Sequence, residues 1–341
     1  MSPAAARDIK KPTIGILILN LNGRQWLPTI YDSIRRNGYP NTRVYLVNNG
    51  SNDGSVEITM EKYPEVTLLS FPFNTGYCMA YNLAMPYAFA DGCEWVIWAN
   101  NDVKLEPGCL EQLALACQSD PRIGVIGPAF LEWDGEGPNY YMVGNHPAAC
   151  SAMAIRSQEL IDVEWVEGSF LMVSRECVRS VGPLDPYLYF YWEETDFCRR
   201  AHHKGWRVVL LPAALARHYG GGSSCDNQQN RLVANYLQTR NYYIYKLANP
   251  FQGFGRNLFD ALHLFAVMQK RFITTQPSLM LFHLRVLAEV LLRVRSVHAK
   301  WVRDRAGVHP PQLAEGYPAV KVEMMRCADA LDRTETDTCR G

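Results

Sequence analysis

Ile14-Gly15-Ile16-Leu17-Ile18-Leu19 followed by Asn20-Leu21-Asn22-Gly23 is the stretch on which the architecture turns. An unbroken apolar run of this length makes a strand covered on both faces, because a half-exposed strand would alternate polar and apolar side chains. The asparagines and the glycine end it. A helical stretch follows from about Gln25 to Arg36 and stops at Asn37-Gly38. Val44 to Val47 is a second buried strand, and Ser55 to Lys62 a second helix. The pattern then repeats: strand Val66 to Phe71, helix Gly76 to Ala90, strand Glu94 to Ala99. Next come helix Pro107 to Gln118, with proline near its first turn, and strand Ile123 to Ile126. Strand–helix alternation at this rhythm predicts an α/β protein with a mostly parallel sheet and helices on both faces.

In such sheets a ligand sits beyond the carboxyl ends of the strands. The residues there are Asn20 and Asn22, then Asn48-Asn49-Gly50-Ser51-Asn52-Asp53-Gly54, then Asn74, then Asn100-Asn101-Asp102. One loop of short polar residues is an ordinary turn. Four on one rim predict a site.

Composition narrows the classes. Lys and Arg total 34, as do Asp and Glu, so no basic surplus exists to grip nucleic acid. With 48% hydrophobic and 20% charged residues, the chain can bury a large core and is not disordered. Its cysteines show no C-x-x-C pair; Cys78, Cys93, Cys109 and Cys117 sit among apolar neighbours and read as small hydrophobes in a reducing compartment. Residues 1–11 lack the apolar core of a signal peptide, and no uncharged apolar stretch reaches 18 residues, so a cytoplasmic location is expected.

From Phe130 to Gly222 the chain is irregular and aromatic. Glu164 to Val173 reads as strands broken at Gly168, Glu194 to Lys204 as a helix, Arg207 to Leu211 as a strand and Asn227 to Leu247 as a helix. Beyond Pro250, Phe251, Phe254, Leu258, Leu262 and Phe265 recur at helical spacing. Met280, Leu284, Leu287, Leu291, Val294 and Trp301 do so again. Residues 249–309 hold nine Lys or Arg against three acids. Such basic amphipathic helices suit an anionic membrane surface, where each basic residue contributes about 1 kcal/mol. They equally suit packing on the rest of the chain or on a second subunit.

Three features carry chemistry. Asp102, fixed at a strand end, can hold Mg²⁺ or Mn²⁺ while leaving most positions to water and a diphosphate. Tyr189-Phe190-Tyr191-Trp192-Glu193-Glu194-Thr195-Asp196 sets two adjacent acids behind four aromatics, a sheltered place for a general base. His218 stands beside a run of three glycines.

With these spacings and in this order, the chain resembles family 2 glycosyltransferases of the GT-A fold, in the branch of bacterial rhamnosyl- and galactofuranosyltransferases. The resemblance covers about residues 13–245. It rests on Leu19 to Gly23, Val47 to Ser55, Asn74-Thr75-Gly76-Tyr77, Asn100-Asn101-Asp102, Trp192 to Asp196 and His218 to Ser224.

It implies a nucleotide-sugar-binding half over 13–130 and an acceptor and catalytic half over 131–248, with an N-terminal tail over 1–12. Basic helices over 249–309 and a tail over 310–341 complete the chain. It implies a donor site at Asn20, Asn22, Asn48, Asp53, Asn74, Gly76, Asn100 and Asn101. Asn48 stands where the family usually has aspartate; its amide can accept from a pyrimidine N3–H and donate to O4. Asp102 and His218 would bind the metal, and Trp192 and Gly168 the acceptor. Glu194 would be the base, where the family usually has aspartate, with Glu193 able to compete. The implied activity is inverting transfer from a dTDP- or UDP-linked sugar, rhamnose or galactofuranose, to a lipid-linked saccharide at the inner face of a membrane. An inactive homologue recruiting partners is the alternative. Sugar-nucleotide synthesis fits less well, because Asn20-Leu21-Asn22-Gly23-Arg24 is not a glycine-rich basic signature.

Overall fold

Strand β1 (Ile14–Asn20) lies deep inside a ten-stranded sheet, where an all-apolar run must lie. The computed structural model describes residues 11–139, 157–220, 228–275, 277–310 and 323–326 of the chain. Most of both tails and the glycine run from Gly221 onward lie outside the described residues. Strands β2 (Thr42–Asn49) and β4 (Trp95–Asn100) flank β1 in parallel, and β3 (Thr67–Phe71) pairs with β2, also in parallel. Helices α1 (Leu27–Asn37), α2 (Ser55–Lys62) and α3 (Tyr77–Ala90) make the crossovers. Asn20 is in register with Asn48, Asn48 with Ser70, and Leu19 with Asn100. The polar loops therefore leave the sheet level with one another.

Beyond β4 come β5 (Val103–Leu105), α4 (Cys109–Ala116), β6 (Ile123–Leu131), β7 (Ile161–Asp162) and β8 (Phe170–Ser174). They are followed by α5 (Arg175–Val181), α6 (Glu193–His203) and β9 (Arg207–His218). β8 runs antiparallel between β4 and β6, and β9 is parallel to β6. β1 exposes neither face: Leu17 joins one core with Tyr81, Trp98 and Phe197, and Ile16 and Ile18 join the other with Leu27 and Ile30.

Several expected boundaries move. Strand structure does not extend back to Glu164, because this segment is tied across the sheet end: Tyr77 Oη donates to Gly168 O at 2.6 Å, and Asn100 N to Ser169 O at 2.8 Å. β9 runs seven residues past the expected stop at Leu211, because its register on β6 jumps from Leu211 to Leu215 and the bulge absorbs Pro212. This extension sets His218 opposite Val103. The six cysteines among the described residues, Cys78, Cys93, Cys109, Cys117, Cys177 and Cys198, are free and buried.

Helices α7 (Gln228–Leu247), α8 (Phe254–Thr275), α9 (Pro277–Leu292) and α10 (Val294–Arg305) follow, and β10 (Glu323–Arg326) returns antiparallel to β3. α10 does pack on the sheet-bearing body. Lys300, 1% exposed, reaches Asp185 at 3.0 Å, Asp196 at 2.9 Å and Asp304 at 2.9 Å. Arg199 and Arg200 hold the same Asp196 at 3.0 and 2.8 Å. Burial works against the Asp196 carboxylate, but these cations overcome it and hold its pKa well below the usual range. Removing one partner of such a buried network costs about 3–5 kcal/mol, so α10 is bound firmly to the N-terminal turn of α6. Among the described residues no helix is long and apolar enough to cross a membrane.

Candidate active site

The loops after β1, β2 and β3 are knitted together by their own side chains. Asn101 Nδ2 donates to Asn20 Oδ1 at 2.8 Å, and Asn20 Nδ2 to Ser51 Oγ at 3.1 Å. Ser51 Oγ also takes the Asn22 amide, and Asn22 Oδ1 takes the Asn52 amide. Asn49 Nδ2 donates to Asn74 Oδ1, which also accepts the Gly76 N–H. Asp53 accepts the Arg24 amide at 2.8 Å and both the amide and the hydroxyl of Ser55. Burial pushes its carboxyl up, and these bonds more than offset it, so its pKa is lowered. Asp53 thus joins the first two loops at the start of α2.

Asn48 is held within the same frame. Its Oδ1 takes the Ser51 N–H at 3.1 Å and its Nδ2 donates to Ser70 Oγ at 2.8 Å. Both ends of the amide that was expected to address the base are engaged within the rim. The physical reason is the register: Asn48 lies between β1 and β3, opposite Ser70, and is buried.

At the end of β4, Asp102 Oδ1 stands 3.1 Å from His218 Nε2, and Asn100 Nδ2 approaches the same nitrogen to 3.5 Å. Antiparallel pairing of β5 with β9 sets this geometry, reinforced by the Tyr219 amide donating to Asp102 O at 3.0 Å. Among the described residues His218 Nδ1 is buried without a hydrogen-bond partner, and no group of three or more His, Cys, Asp or Glu could cage an ion. The Asp102 carboxylate suits a hard cation such as Mg²⁺ or Mn²⁺ held by few protein ligands, the remaining positions being left to water and phosphate oxygens, with the His218 imidazole a softer donor beside it.

The opposite wall is built from the aromatic run. Tyr189, Tyr191 and Trp192 have φ of +66°, +70° and +71°, a region that costs a non-glycine residue about 1–3 kcal/mol. Asn241 of α7 holds them there: its Nδ2 lies 2.7 Å from Leu188 O, 2.8 Å from Phe190 O and 2.9 Å from Tyr191 O. Gly76, at φ +82°, leaves the room that the Tyr189 ring occupies; a Cβ there would stand 2.4 Å from it. Trp192 packs on Tyr242 and Tyr245, with ring centroids 5.0 and 5.2 Å away.

The turn at Trp192 delivers Glu193 and Glu194 to the first turn of α6. Glu193 is 3% exposed, and its Oε2 has no hydrogen-bond partner among the described residues. Burial, then the neighbouring Glu194, raises its pKa well above the usual range. Glu194 is half-buried, accepts from Thr195 Oγ1 at 3.1 Å, and is also raised, first by burial. Its side chain lies on Gly168, where a Cβ would stand 3.1 Å from Glu194 Cγ.

Glu167 is the group that sequence reading passed over. Burial and then the charge of Glu194 push its pKa up to about 7, while His218 pulls it down. Glu167 therefore feels both walls, and the segment 167–169 joins them: Gly168 meets Glu194, and Ser169 O takes the Asn100 amide. Glu194 lies on Gly168, and Ser169 is tied to the end of β4, from which Asp102 and its partner His218 follow. The only sequence signal for Glu167 was its place next to Gly168, and Asn241, in the middle of α7, had none. A rim of Trp26, Trp133 and Tyr219, with ring centroids 4.4 to 5.9 Å apart, adjoins the His218 corner and also went unread.

A mostly parallel sheet flanked by helices, with its polar loops leaving at one rim, is the architecture of the GT-A type. The sequence profile of "Glycosyl transferase family 2" matches residues 15–180. An N-acetylglucosaminyl-diphospho-decaprenol L-rhamnosyltransferase of Mycobacterium tuberculosis is 31% identical over 62% of this chain and 76% of its own length. The dTDP-rhamnosyl transferase RfbF of Shigella flexneri is 23% identical over 54% of this chain and 62% of its own. Among solved structures, the mannosyltransferase PcManGT from Pyrobaculum calidifontis, in complex with GDP-Man and Mn²⁺, has a TM-score of 0.53 at 16% identity, covering 88% of this chain and 85% of that one. S. aureus TarS 1–349 in complex with UDP has a TM-score of 0.50 at 13% identity, covering 86% and 80%. At such identities the structural likeness speaks for the fold alone. The chain belongs to glycosyl transferase family 2, in a rhamnosyltransferase-like branch.

Proposed function

We propose that this glycosyltransferase moves a hexosyl group, rhamnose ahead of galactofuranose, from a nucleoside-diphosphate donor to a lipid-linked saccharide with inversion at the anomeric carbon. One observation carries the reading: the Asp102–His218 pair and the raised carboxyl of Glu194 stand on two walls joined by Glu167-Gly168-Ser169. The rhamnosyltransferase names of the relatives favour the sugar, and the diphospho-decaprenol in one of those names favours the lipid-linked acceptor. Residues 13–130 would form the donor half, 131–248 the acceptor half and 249–309 the helices that meet the membrane's inner face.

Asp102 and His218 would hold Mg²⁺ or Mn²⁺, which, when bound, offsets the charge that develops on the leaving diphosphate. Glu194 accepts the proton of an acceptor hydroxyl. That oxygen forms its bond to the anomeric carbon as the carbon–phosphate-oxygen bond breaks on the opposite face, its electron pair leaving with the nucleoside diphosphate. Trp192, braced by Tyr242 and Tyr245, forms the wall on which an acceptor sugar would rest. Partial burial limits the water around the carboxyls, which strengthens their charge interactions. Thermal shift against a panel of nucleotide sugars, with and without Mn²⁺, tests the donor, since a ligand of the folded state raises its apparent stability. A shift for dTDP-rhamnose that needs the metal supports the reading. Donor hydrolysis indifferent to EDTA would overturn the metal.

A further inference from the structure

Helices α8 and α9 are apolar on two sides. Their inward residues, Leu258, Ala261 and Phe265 on α8 and Val286, Leu287 and Val290 on α9, pack into or against the main core. Their outward stripes should then be polar, as on an ordinary surface helix. They are not. On α8, Phe259, Leu262, Ala266 and Val267 recur at helical spacing and are exposed, Phe259 by 60%. On α9, Leu281, Leu284, Ala288 and Leu292 do the same, Leu292 by 86%. The two helices pack on each other and both pack on α7, and the stripes are the faces that this packing leaves exposed.

The charges around the stripes are mostly basic. Arg256 and Lys270 on α8 and Arg285 on α9 are exposed, as are Arg293 and Arg295 where α9 gives way to α10. Of the acids on these helices, Asp260 is paired to Arg256 at 3.0 Å and Glu289 to Arg293 at 3.3 Å. Lys270 and Arg285 lie within the apolar stripes themselves, at three- and four-residue spacing from their neighbours.

We propose that the outward face of α8 and α9 docks on an anionic lipid bilayer, with Phe259, Leu262, Leu284 and Leu292 entering the headgroup boundary and the arginines and Lys270 meeting lipid phosphates. Charge complementarity selects this occupant. Against a second copy of the chain Lys270 and Arg285 would meet like charges, since both acids of the two helices are already paired within the chain. Exposed apolar residues interspersed with basic ones are what an interfacial helix presents to lipid. The inference rests on the reading of a lipid-linked acceptor and sharpens it. α7 stands between the docking face and the cleft: it carries Asn241 onto the 188–192 turn and Tyr242 and Tyr245 onto Trp192. The bilayer is thereby joined to the acceptor wall and not to the donor rim.

The test is co-sedimentation of the full chain with phosphatidylcholine vesicles, with and without phosphatidylglycerol. The protein should favour the anionic vesicles by at least about tenfold and be released by salt. Leu284→Ser with Leu292→Ser, and separately Arg285→Glu with Arg295→Glu, should each lower binding by about tenfold or more. These side chains are exposed, so the variants keep the melting temperature of the parent. Equal binding to neutral and anionic vesicles, or none to either, overturns the proposal. So does a dimer in light scattering that Leu284→Ser with Leu292→Ser takes apart, since the face would then join two copies. Donor hydrolysis in vesicle-free buffer should stay at the parent rate in both variants, so loss of docking is distinct from failure of the enzymatic reading.

Discussion

The proposed donor rim and the proposed base wall treat their polar groups in opposite ways. On the donor rim Asn20, Asn22, Asn48, Asn74 and Asp53 bond to one another's loops, and even the Asn48 amide is engaged at both ends. On the base wall burial raises three carboxyls, Glu167, Glu193 and Glu194, and Glu193 keeps an oxygen with no hydrogen-bond partner among the described residues. One rim is a frame whose side chains set the backbone. The other holds groups whose protonation the surroundings have made costly to change. A satisfied network rigidifies, and an unsatisfied buried acid is poised to exchange a proton.

If that contrast is right, substitutions on the two sides must differ steeply in effect. Glu194→Gln removes a positioned base and should lower kcat by about 10²–10⁴-fold while donor still binds in calorimetry; near-normal turnover would sink the assignment. The sign of the pH dependence follows from burial. The base works as the anion and its pKa is raised, so the rate falls as pH drops through a value above the usual carboxylate pKa of about 4.3. An acidic limb at or below that value in kcat/KM would count against Glu194.

Asp102→Ala comes next. Loss of a charged partner of the diphosphate site should weaken donor binding by about 1.5–3 kcal/mol in the presence of Mn²⁺, read by titration calorimetry. Glu193→Gln is smaller, because a buried acid kept protonated resembles the amide: turnover should fall by less than about fivefold, near 1 kcal/mol. A hundredfold loss would instead make Glu193 the base. Smallest is Asn48→Asp, in the satisfied frame. The carboxylate can accept from both Ser51 N and Ser70 Oγ, so preference between dTDP and UDP donors should move by less than about 0.5 kcal/mol. A switch of base preference would show that the frame reads its ligand directly.

How much of this was legible in the sequence follows from range. Both-faces-apolar strands and their polar ends depend on a handful of consecutive residues, so β1 to β4 and their loops were readable, and with them Asp102. The aromatic turn and the two acids stood out because four aromatics beside Glu193 and Glu194 make no ordinary surface. Glu167 did not stand out, since its environment is made by Glu194 and His218, which are distant in the chain. β9 was read too short because a proline ordinarily ends a ladder, and only pairing with β6 reveals the bulge that accommodates Pro212. Asn241 looked like any polar helix residue until Leu188, Phe190 and Tyr191 were brought beneath it.

Lys300 has a consequence for anyone recombining these enzymes. The cation at the far end of the chain neutralises Asp185 and Asp196, which sit on either side of the aromatic turn. A chimera that exchanged the last helices for those of another transferase would strand Asp185, which loses both Lys300 and Arg303, and take one of three cations from Asp196, unless the incoming sequence restored a positive charge at that point. The seam for grafting acceptor specificity therefore cannot be cut between the sugar-transferring body and its helical tail; it has to pass around both, keeping Lys300 and its aspartates on the same side.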